Sequence, residues 1–180
     1  MKRAAISVVA VLLCLALVAC TQSQIINDID VALTAASIAL PIVASAVGLP
    51  PAVTTQIIGW VQLALKGLAA TSDALLTGGP KAVVAAKITA SLAGVVSSMP
   101  DLQGLPASIA SVVQALANDV QGILAQYGTN ALTLSAGKSD ALSGNNIHFG
   151  TRDRQRLIAL RAKAMGILAD SEVRMQMLKK

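Results

Sequence analysis

Few side chains in this sequence could carry chemistry, and their spacing does not assemble a catalytic site. The 180 residues include two cysteines, Cys14 and Cys20, and a single histidine, His148. A catalytic or metal-binding histidine needs partners, and the Ser, Gly and Asn residues around His148 supply none. The close carboxylates Asp28 and Asp30 would point about 200° apart on a helix. The sequence therefore predicts a protein that is not an enzyme, with no catalytic residues, metal site or cofactor.

Cys20 is the position at which the sequence best supports a chemical role. Residues 1–3 are a basic start, and residues 4–20 then contain no charged side chain before the polar stretch Thr-Gln-Ser-Gln. A basic region, an apolar region and a small residue, in that order, are typical of a secretory signal peptide. As a helix the uncharged run would reach roughly 25 Å, which is less than the ~30 Å hydrocarbon core of a bilayer. A permanent membrane span is therefore disfavoured.

The end of this run resembles the lipobox of bacterial lipoproteins, carried here by Leu17, Val18, Ala19 and Cys20. In that family the cysteine thiol receives a diacylglyceryl group, and a signal peptidase cuts just before it. The resemblance implies a signal peptide over residues 1–19 and a mature chain attached to a membrane through a lipid on Cys20. Thr21, where an Asp would signal retention, resembles lipoproteins of the outer membrane that face the periplasm. The alternatives are an ordinary secretory signal and a short anchor helix that happens to end in cysteine.

The composition of the remaining chain favours helices. Apolar residues make up 54% of the sequence, but aromatic residues only 2%. A core of Ala, Val, Leu and Ile suits helices that pack closely, whereas strand-rich folds use more aromatic and β-branched alternation. Glycine and proline punctuate the apolar stretches at Pro50-Pro51, Gly78-Gly79-Pro80 and Gly104-Leu105-Pro106. We predict an all-α fold: an Ala-rich up-down helical bundle of about four helices over residues 20–128, followed by a basic amphipathic helix.

The punctuation sets the expected boundaries of the bundle helices near 24–47, 52–76, 80–98 and 106–127. Pro41 lacks a backbone donor and crowds the preceding turn, so we expect it to kink or split the first helix. Connections of a few residues place successive helices antiparallel.

The C-terminal part of the chain has a different character. Residues 129–150 are rich in Ser, Gly and Asn without a sustained period, which is typical of a linker. Residues 151–180 predict a helix that begins at Thr151, with one apolar stripe formed by Leu157, Leu160, Ala164, Ile167, Leu168, Met175 and Leu178. This segment has eight basic and three acidic residues, whereas residues 20–149 have four basic and six acidic residues. Positive charge is therefore segregated to the last helix.

Four cations on one side of this helix are candidate contacts with an anionic envelope component or a protein partner: Arg152, Arg156, Lys163 and Arg174. The alternative is a helix that docks on its own bundle with its charges in solvent. Nucleic acid is disfavoured as a partner because no base-stacking aromatic residues accompany the cations. The final "MQMLKK" is similar to the end of the murein lipoprotein, which implies linkage of Lys180 to peptidoglycan. The long heptad coiled coil of that family is missing, and two terminal lysines also complement a helix C-terminus.

Two hypotheses for function follow. The first is a non-catalytic, lipid-anchored protein of the cell envelope with a structural, binding or scaffold role at the periplasmic face of the outer membrane. The second is a membrane-perturbing protein, such as a small pore, lysis or exclusion factor, that inserts residues 31–65, which contain no Asp, Glu, Lys or Arg. Prolines and abundant alanines interrupt that segment, which favours the water-facing bundle. Apolar surface left exposed on such a bundle would promote self-association.

Overall fold

The computed structural model describes residues 24–46, 48–129 and 146–178. Within these ranges lie five α-helices: α1 (Gln24–Ala44), α2 (Pro51–Thr77), α3 (Lys81–Ser97), α4 (Ala107–Ile123) and α5 (Thr151–Leu178). A π-helical turn, Leu124–Thr129, follows α4. Two short strands, β1 (Gly79–Pro80) and β2 (Asn146–Ile147), pair antiparallel. The predicted all-α helical bundle is confirmed.

Three helices begin in the same way, at a proline that adopts an extended conformation. Pro50, Pro80 and Pro106 are the N-cap residues of α2, α3 and α4, with ψ between 134° and 138° and no side-chain cap. Two residues before Pro50 and Pro106, Gly48 and Gly104 have φ values of 91° and 79°, which favour glycine. Proline presets the φ angle that helix entry needs, and its missing N–H costs nothing in a first turn. The glycine–proline punctuation therefore locates the helix starts.

Contacts between side chains fix the directions of α2 and its neighbours. The indole Nε1 of Trp60 in α2 donates a hydrogen bond of 2.9 Å to the carbonyl oxygen of Val95, near the end of α3. Gln62 in α2 donates to the Ser171 hydroxyl near the end of α5 at 3.1 Å, whereas Asp73 further along α2 pairs with Arg161 nearer the start of α5. Helices α3 and α5 are thus antiparallel to α2. They lie on opposite sides of it, because residues two apart point about 200° apart.

Helix α1 runs parallel to α5 and lies beside it. Arg156 of α5 donates to the Asn27 side chain at 2.7 Å, and one to two turns further on Lys163 reaches Asp30 at 2.8 Å and Thr34 at 3.1 Å. The start of α1 also meets the end of α4, as the Tyr127 hydroxyl donates to Asp28 at 3.3 Å. One end of the bundle therefore gathers the starts of α1, α3 and α5 and the ends of α2 and α4.

The core joins all five helices and is centred on α2, which buries fourteen of its 27 residues. Small residues permit close packing there. A Cβ atom added at Gly67 would lie 2.8 Å from the backbone oxygen of Ser91 and 3.0 Å from Leu92, so α2 and α3 approach too closely for a larger residue. Four apolar residues of α5 belong to the same core: Leu157, Leu160, Ala164 and Leu168.

The structure differs from the expected boundaries in three places. Helix α1 ends at Ala44 rather than near 47, and it continues through Pro41 without being split. The Pro41 carbonyl still accepts a hydrogen bond from the Ser45 N–H at 3.0 Å, so only the bond that proline cannot donate is lost. Regular α4 ends at Ile123, where the π-helical turn begins. The end of the predicted linker, Asn146–Ile147, pairs with β1.

Candidate functional site

The predicted lipidation site and the predicted peptidoglycan linkage lie outside the described residues: Leu17, Val18, Ala19 and Cys20, and Lys180. The structure does place the element that follows the predicted lipobox, since the described part of α1 starts at Gln24, four residues after Cys20. Four residues reach at most about 14 Å. A lipid on Cys20 would therefore be held close to the end of the bundle at which α1 and α5 begin.

The four cations predicted as partner contacts lie on the side of α5 that faces α1 and solvent. Arg152, Arg156 and Lys163 are exposed and Arg174 is half-buried. Lys163 forms an ion pair with Asp30 of α1, and Arg174 pairs with a residue one turn earlier, Asp170, at 2.8 Å. These two cations are therefore already engaged within the chain.

The other two predicted cations keep uncompensated charge. Arg156 hydrogen-bonds the neutral amide oxygen of Asn27. Arg152 has no hydrogen-bond or ion-pair partner among the residues that the structure describes. Both lie in the first two turns of α5, at the end of the bundle where α1 begins. Available positive charge is thus concentrated near the start of α1.

One interaction of α5 was missed from the sequence. Arg161 forms an ion pair with Asp73 of α2 at 2.8 Å, on the opposite flank from the predicted cations. Helical spacing places Arg161 off the row that contains Arg156 and Lys163, but it does not reveal a partner on a distant helix. Arg154 lies on the same flank as Arg161 and is exposed. Helix α5 therefore has cations on both sides of its outward face.

The opposite side of α1 presents acidic groups to α4. Asp28 accepts a hydrogen bond from Tyr127, and burial, then the charge of Asp28 and this bond, raise the pKa of Tyr127. Burial and, secondarily, the charge of Asp28 raise the pKa of Asp119. No Lys or Arg among the described residues pairs with either carboxylate. Cations of α5 thus compensate one side of α1 only.

The uncharged segment 31–65 forms most of α1 and the first half of α2, apart from Val47, which lies outside the described residues. Gln24–Ala44 is long and apolar enough to cross a membrane by length and composition, a criterion that buried core helices also meet. Many of its apolar side chains, among them Ile29, Leu33 and Leu40, are fully buried against the other helices, whereas Val31 and Ile38 are exposed. Insertion of this segment would require the bundle to open.

Two concave surfaces are lined by residues that the structure describes. An open groove of about 350 Å³ lies between α2 and α3, lined by small residues together with Asp73 and Lys87. His148 is exposed beside a cavity of about 20 Å³, too small for anything but a water molecule. Among the described residues no group of three or more His, Cys, Asp or Glu side chains is arranged to hold a metal ion.

The fold defines the class of protein as an all-α bundle of small apolar residues, with most of the cations of the described residues on one peripheral helix. Comparison of the chain with known proteins finds no matching family model, no matching curated protein and no matching solved structure.

Proposed function

We propose that the protein is a non-catalytic lipoprotein of the cell envelope, held through a lipid on Cys20, with a structural or binding role at the periplasmic face of the outer membrane. The observation that carries the proposal is the order of elements at the N-terminus. A basic start, an uncharged run and a lipobox lead within four residues into the first helix of a packed bundle. Such a bundle needs no further span to be held at a membrane, because several acyl chains on one residue give durable attachment.

The cations of α5 supply the binding role in this proposal. Arg152 and Arg156 are not paired with a carboxylate, so their charges remain available to a partner. Both lie close to the end of the bundle that a lipid on Cys20 would hold at the membrane. Cations near an anionic membrane surface are attracted by about 1 kcal/mol each, provided they lie within a Debye length. We therefore expect an anionic envelope component, rather than a small-molecule substrate, as the partner.

The proposal is tested by the intact mass of the protein purified from its native host. We expect a chain that begins at residue 20 and carries the added mass of a diacylglyceryl group with or without a further acyl chain. A chain that still begins at Met1, or an unmodified thiol at Cys20, would show that the proposal is wrong.

Two matched variants test whether membrane attachment depends on Cys20 itself or on either of the two N-terminal cysteines. Cys14→Ser alters the cysteine inside the signal peptide and should leave both the mass of the mature chain and its membrane attachment unchanged. Cys20→Ser should abolish the lipid and release the protein from the membrane after a salt wash. Equal behaviour of the two variants would contradict the proposal.

The second candidate function, insertion of residues 31–65 as a pore, lysis or exclusion factor, rests on the length and apolar character of α1. It predicts the reverse result for Cys20→Ser, which would stay in the membrane fraction after a salt wash. It also predicts dye leakage from vesicles when the protein is added. The first candidate is favoured because many of the apolar side chains of this segment already belong to the core, with Val31, Ile38 and Leu63 as exposed exceptions.

A further inference from the structure

The exposed apolar side chains of the bundle are concentrated on two adjacent helices. Among the described residues eight large apolar side chains are exposed, and six of them lie on α1 and α5: Val31, Ile38, Ile158, Met165, Val173 and Met177. Val31 and Ile38 are seven residues apart on α1, as are Ile158 and Met165 on α5, so each pair lies on one side of its helix. On each helix the exposed pair points away from the buried side chains, so both pairs lie on the outward surface of the bundle.

Both pairs lie on the outward half of the bundle surface, because α1 and α5 run parallel in contact, and Ile158 and Met165 lie on the flank of α5 that is turned away from α1. The hydrogen bonds Arg156–Asn27 and Lys163–Asp30 set the register, which places Ile158 and Met165 about one helical turn before the levels of Val31 and Ile38. On α5 the small residues Ala162 and Ala169 are also exposed and continue the stripe between the larger side chains. We call this surface, defined by Val31, Ile38, Ile158, Met165 and Val173, the α1–α5 face.

Charge around the α1–α5 face is positive. Arg152 and Arg156 lie along its seam with uncompensated charge, and Arg154 lies on its far flank. The nearby carboxylates Asp30 and Asp170 are both occupied in ion pairs, with Lys163 and Arg174, whereas Glu172 beside Val173 is exposed and forms no ion pair with a described residue, so the excess of arginines is only partly offset. A second copy of the chain docked on this face would bring like charges together, whereas a surface of anionic lipid would compensate them.

We propose that the α1–α5 face is a membrane-docking surface that lies against a bilayer containing anionic headgroups. Its apolar side chains enter the boundary between headgroups and acyl chains, and the flanking arginines extend to lipid phosphates, as in interfacial amphipathic helices. This inference rests on the proposed lipid anchoring, which holds the start of α1 within about 14 Å of the anchored residue. The bundle then lies on its side against the membrane instead of standing on one end.

A fluorophore on α5 tests this orientation in the lipidated protein. The cysteine of the mature chain is acylated, so Met165→Cys introduces the one thiol that can be labelled with an environment-sensitive dye. The matched control is Val83→Cys on α3, which is similarly exposed (48% against 52%) but lies across α2 from α5. In vesicles of phosphatidylglycerol and phosphatidylcholine, we expect a blue shift and quenching by bilayer-embedded quenchers at residue 165 only.

Other results of this experiment would overturn the inference. Equal emission at residues 165 and 83 would mean that the face is not in the bilayer, as in an upright bundle. A shift at residue 165 that grows with the protein-to-lipid ratio and resists membrane quenchers would identify a second copy as the occupant. The blue shift at residue 165 must also be larger in vesicles that contain phosphatidylglycerol than in vesicles of phosphatidylcholine alone. An equal shift in both would show that the arginines do not contribute to docking.

Charge variants of the labelled protein measure the electrostatic contribution. Arg152→Gln combined with Arg156→Gln should lower the ratio of docked to undocked protein roughly 25-fold, about fivefold for each cation. The control Lys81→Gln with Lys87→Gln removes the same charge from α3 and should leave the ratio within about twofold. Equal losses in both double variants would show only a net-charge effect and would contradict docking through this face.

Failure of the inference can be told apart from failure of the proposed function. The intact mass reports whether Cys20 carries a lipid, whatever the dye reports. A lipidated protein without a shift at residue 165 would retain the anchor and refute the docking face. A chain without lipid would refute the anchoring and with it the tether on which the docking argument depends.

Discussion

The two longest helices of the bundle, α2 and α5, differ by one residue in length but occupy opposite environments. Helix α2 buries fourteen of 27 residues and contains two charged residues, Lys66 and Asp73. Helix α5, with 28 residues, buries five of its described side chains and contains six cations and three carboxylates. A central helix has little solvent-exposed surface on which charged residues can lie, because burying an unpaired ion is costly. A peripheral helix can meet the core with one stripe and use the rest for recognition.

Truncation of core leucines is the strongest way to break this comparison. Leu65 in α2 and Leu157 in α5 are both fully buried, so replacing either by Ala should lower the free energy of unfolding by about 2–5 kcal/mol. The control Ile158→Ala alters the next residue of α5, which is 57% exposed, and should cost less than about 1 kcal/mol. Chemical denaturation followed by circular dichroism measures all three. A small effect of Leu157→Ala would mean that α5 is not part of the core.

Glycine substitutions in α2 sharpen the same comparison at the α2–α3 contact. Alanine favours a helix interior by about 1 kcal/mol over glycine, but at Gly67 its Cβ would lie 2.8 Å from the Ser91 backbone oxygen. Overpacking costs about 1–3 kcal/mol, and the gain in helix propensity offsets about 1 kcal/mol of that cost, so Gly67→Ala should destabilise the protein by up to about 2 kcal/mol. At Gly59, in the same helix, a Cβ meets no atom within 4 Å, and Gly59→Ala should stabilise it by up to about 1 kcal/mol. Thermal unfolding of both variants should show shifts of opposite sign.

The smallest expected effect concerns the side of α1 that α5 does not reach. Because the folded state raises the pKa of Asp119 above its ordinary value of 3.8, it holds this proton more tightly than the unfolded chain does. Stability should therefore fall as pH rises from 3.8 through the raised pKa, and Asp119→Asn should remove that fall. At neutral pH the variant should be more stable by up to about 0.5 kcal/mol, since solvent and salt screen the repulsion.

Denaturation series from pH 3 to 7 measure this effect. The control Glu172→Gln removes a carboxylate from the exposed surface of α5 and should leave the pH dependence unchanged. A pH profile of Asp119→Asn that is identical to that of the original chain would show that neither burial nor the charge of Asp28 perturbs the Asp119 carboxylate appreciably.

Much of the fold was predictable because local signals mark it. The prolines at 50, 80 and 106 each begin a helix at or within a residue of the expected position, since proline and the preceding glycine act on the backbone locally. The apolar stripe of α5 was also predictable from the sequence, because Leu157, Leu160 and Ala164 recur with the helical period. The structure shows that this stripe is buried in the bundle. The π-helical turn after Ile123 was missed, because no residue type signals it.

The sequence predicted the positions of the surface cations but not their partners. Helical spacing found the row with Arg152, Arg156 and Lys163, but it gave no means to identify Asn27 and Asp30 as their partners on another helix. The parallel packing of α1 and α5 that creates these contacts is a tertiary arrangement, which the local pattern of neither helix encodes. The outward stripe with Ile158 and Met165 was overlooked because the inward stripe already accounted for the amphipathic pattern.

An odd number of alternating helices has a consequence for engineering. Gln24 and Leu178 begin the first and end the last of five helices, so they lie at opposite ends of the bundle, and a helix of 28 residues is about 42 Å long. Joining the two for circular permutation would require a linker of more than a dozen extended residues. A reporter domain fused after Leu178, by contrast, would be displayed remote from Gln24 and from Arg152.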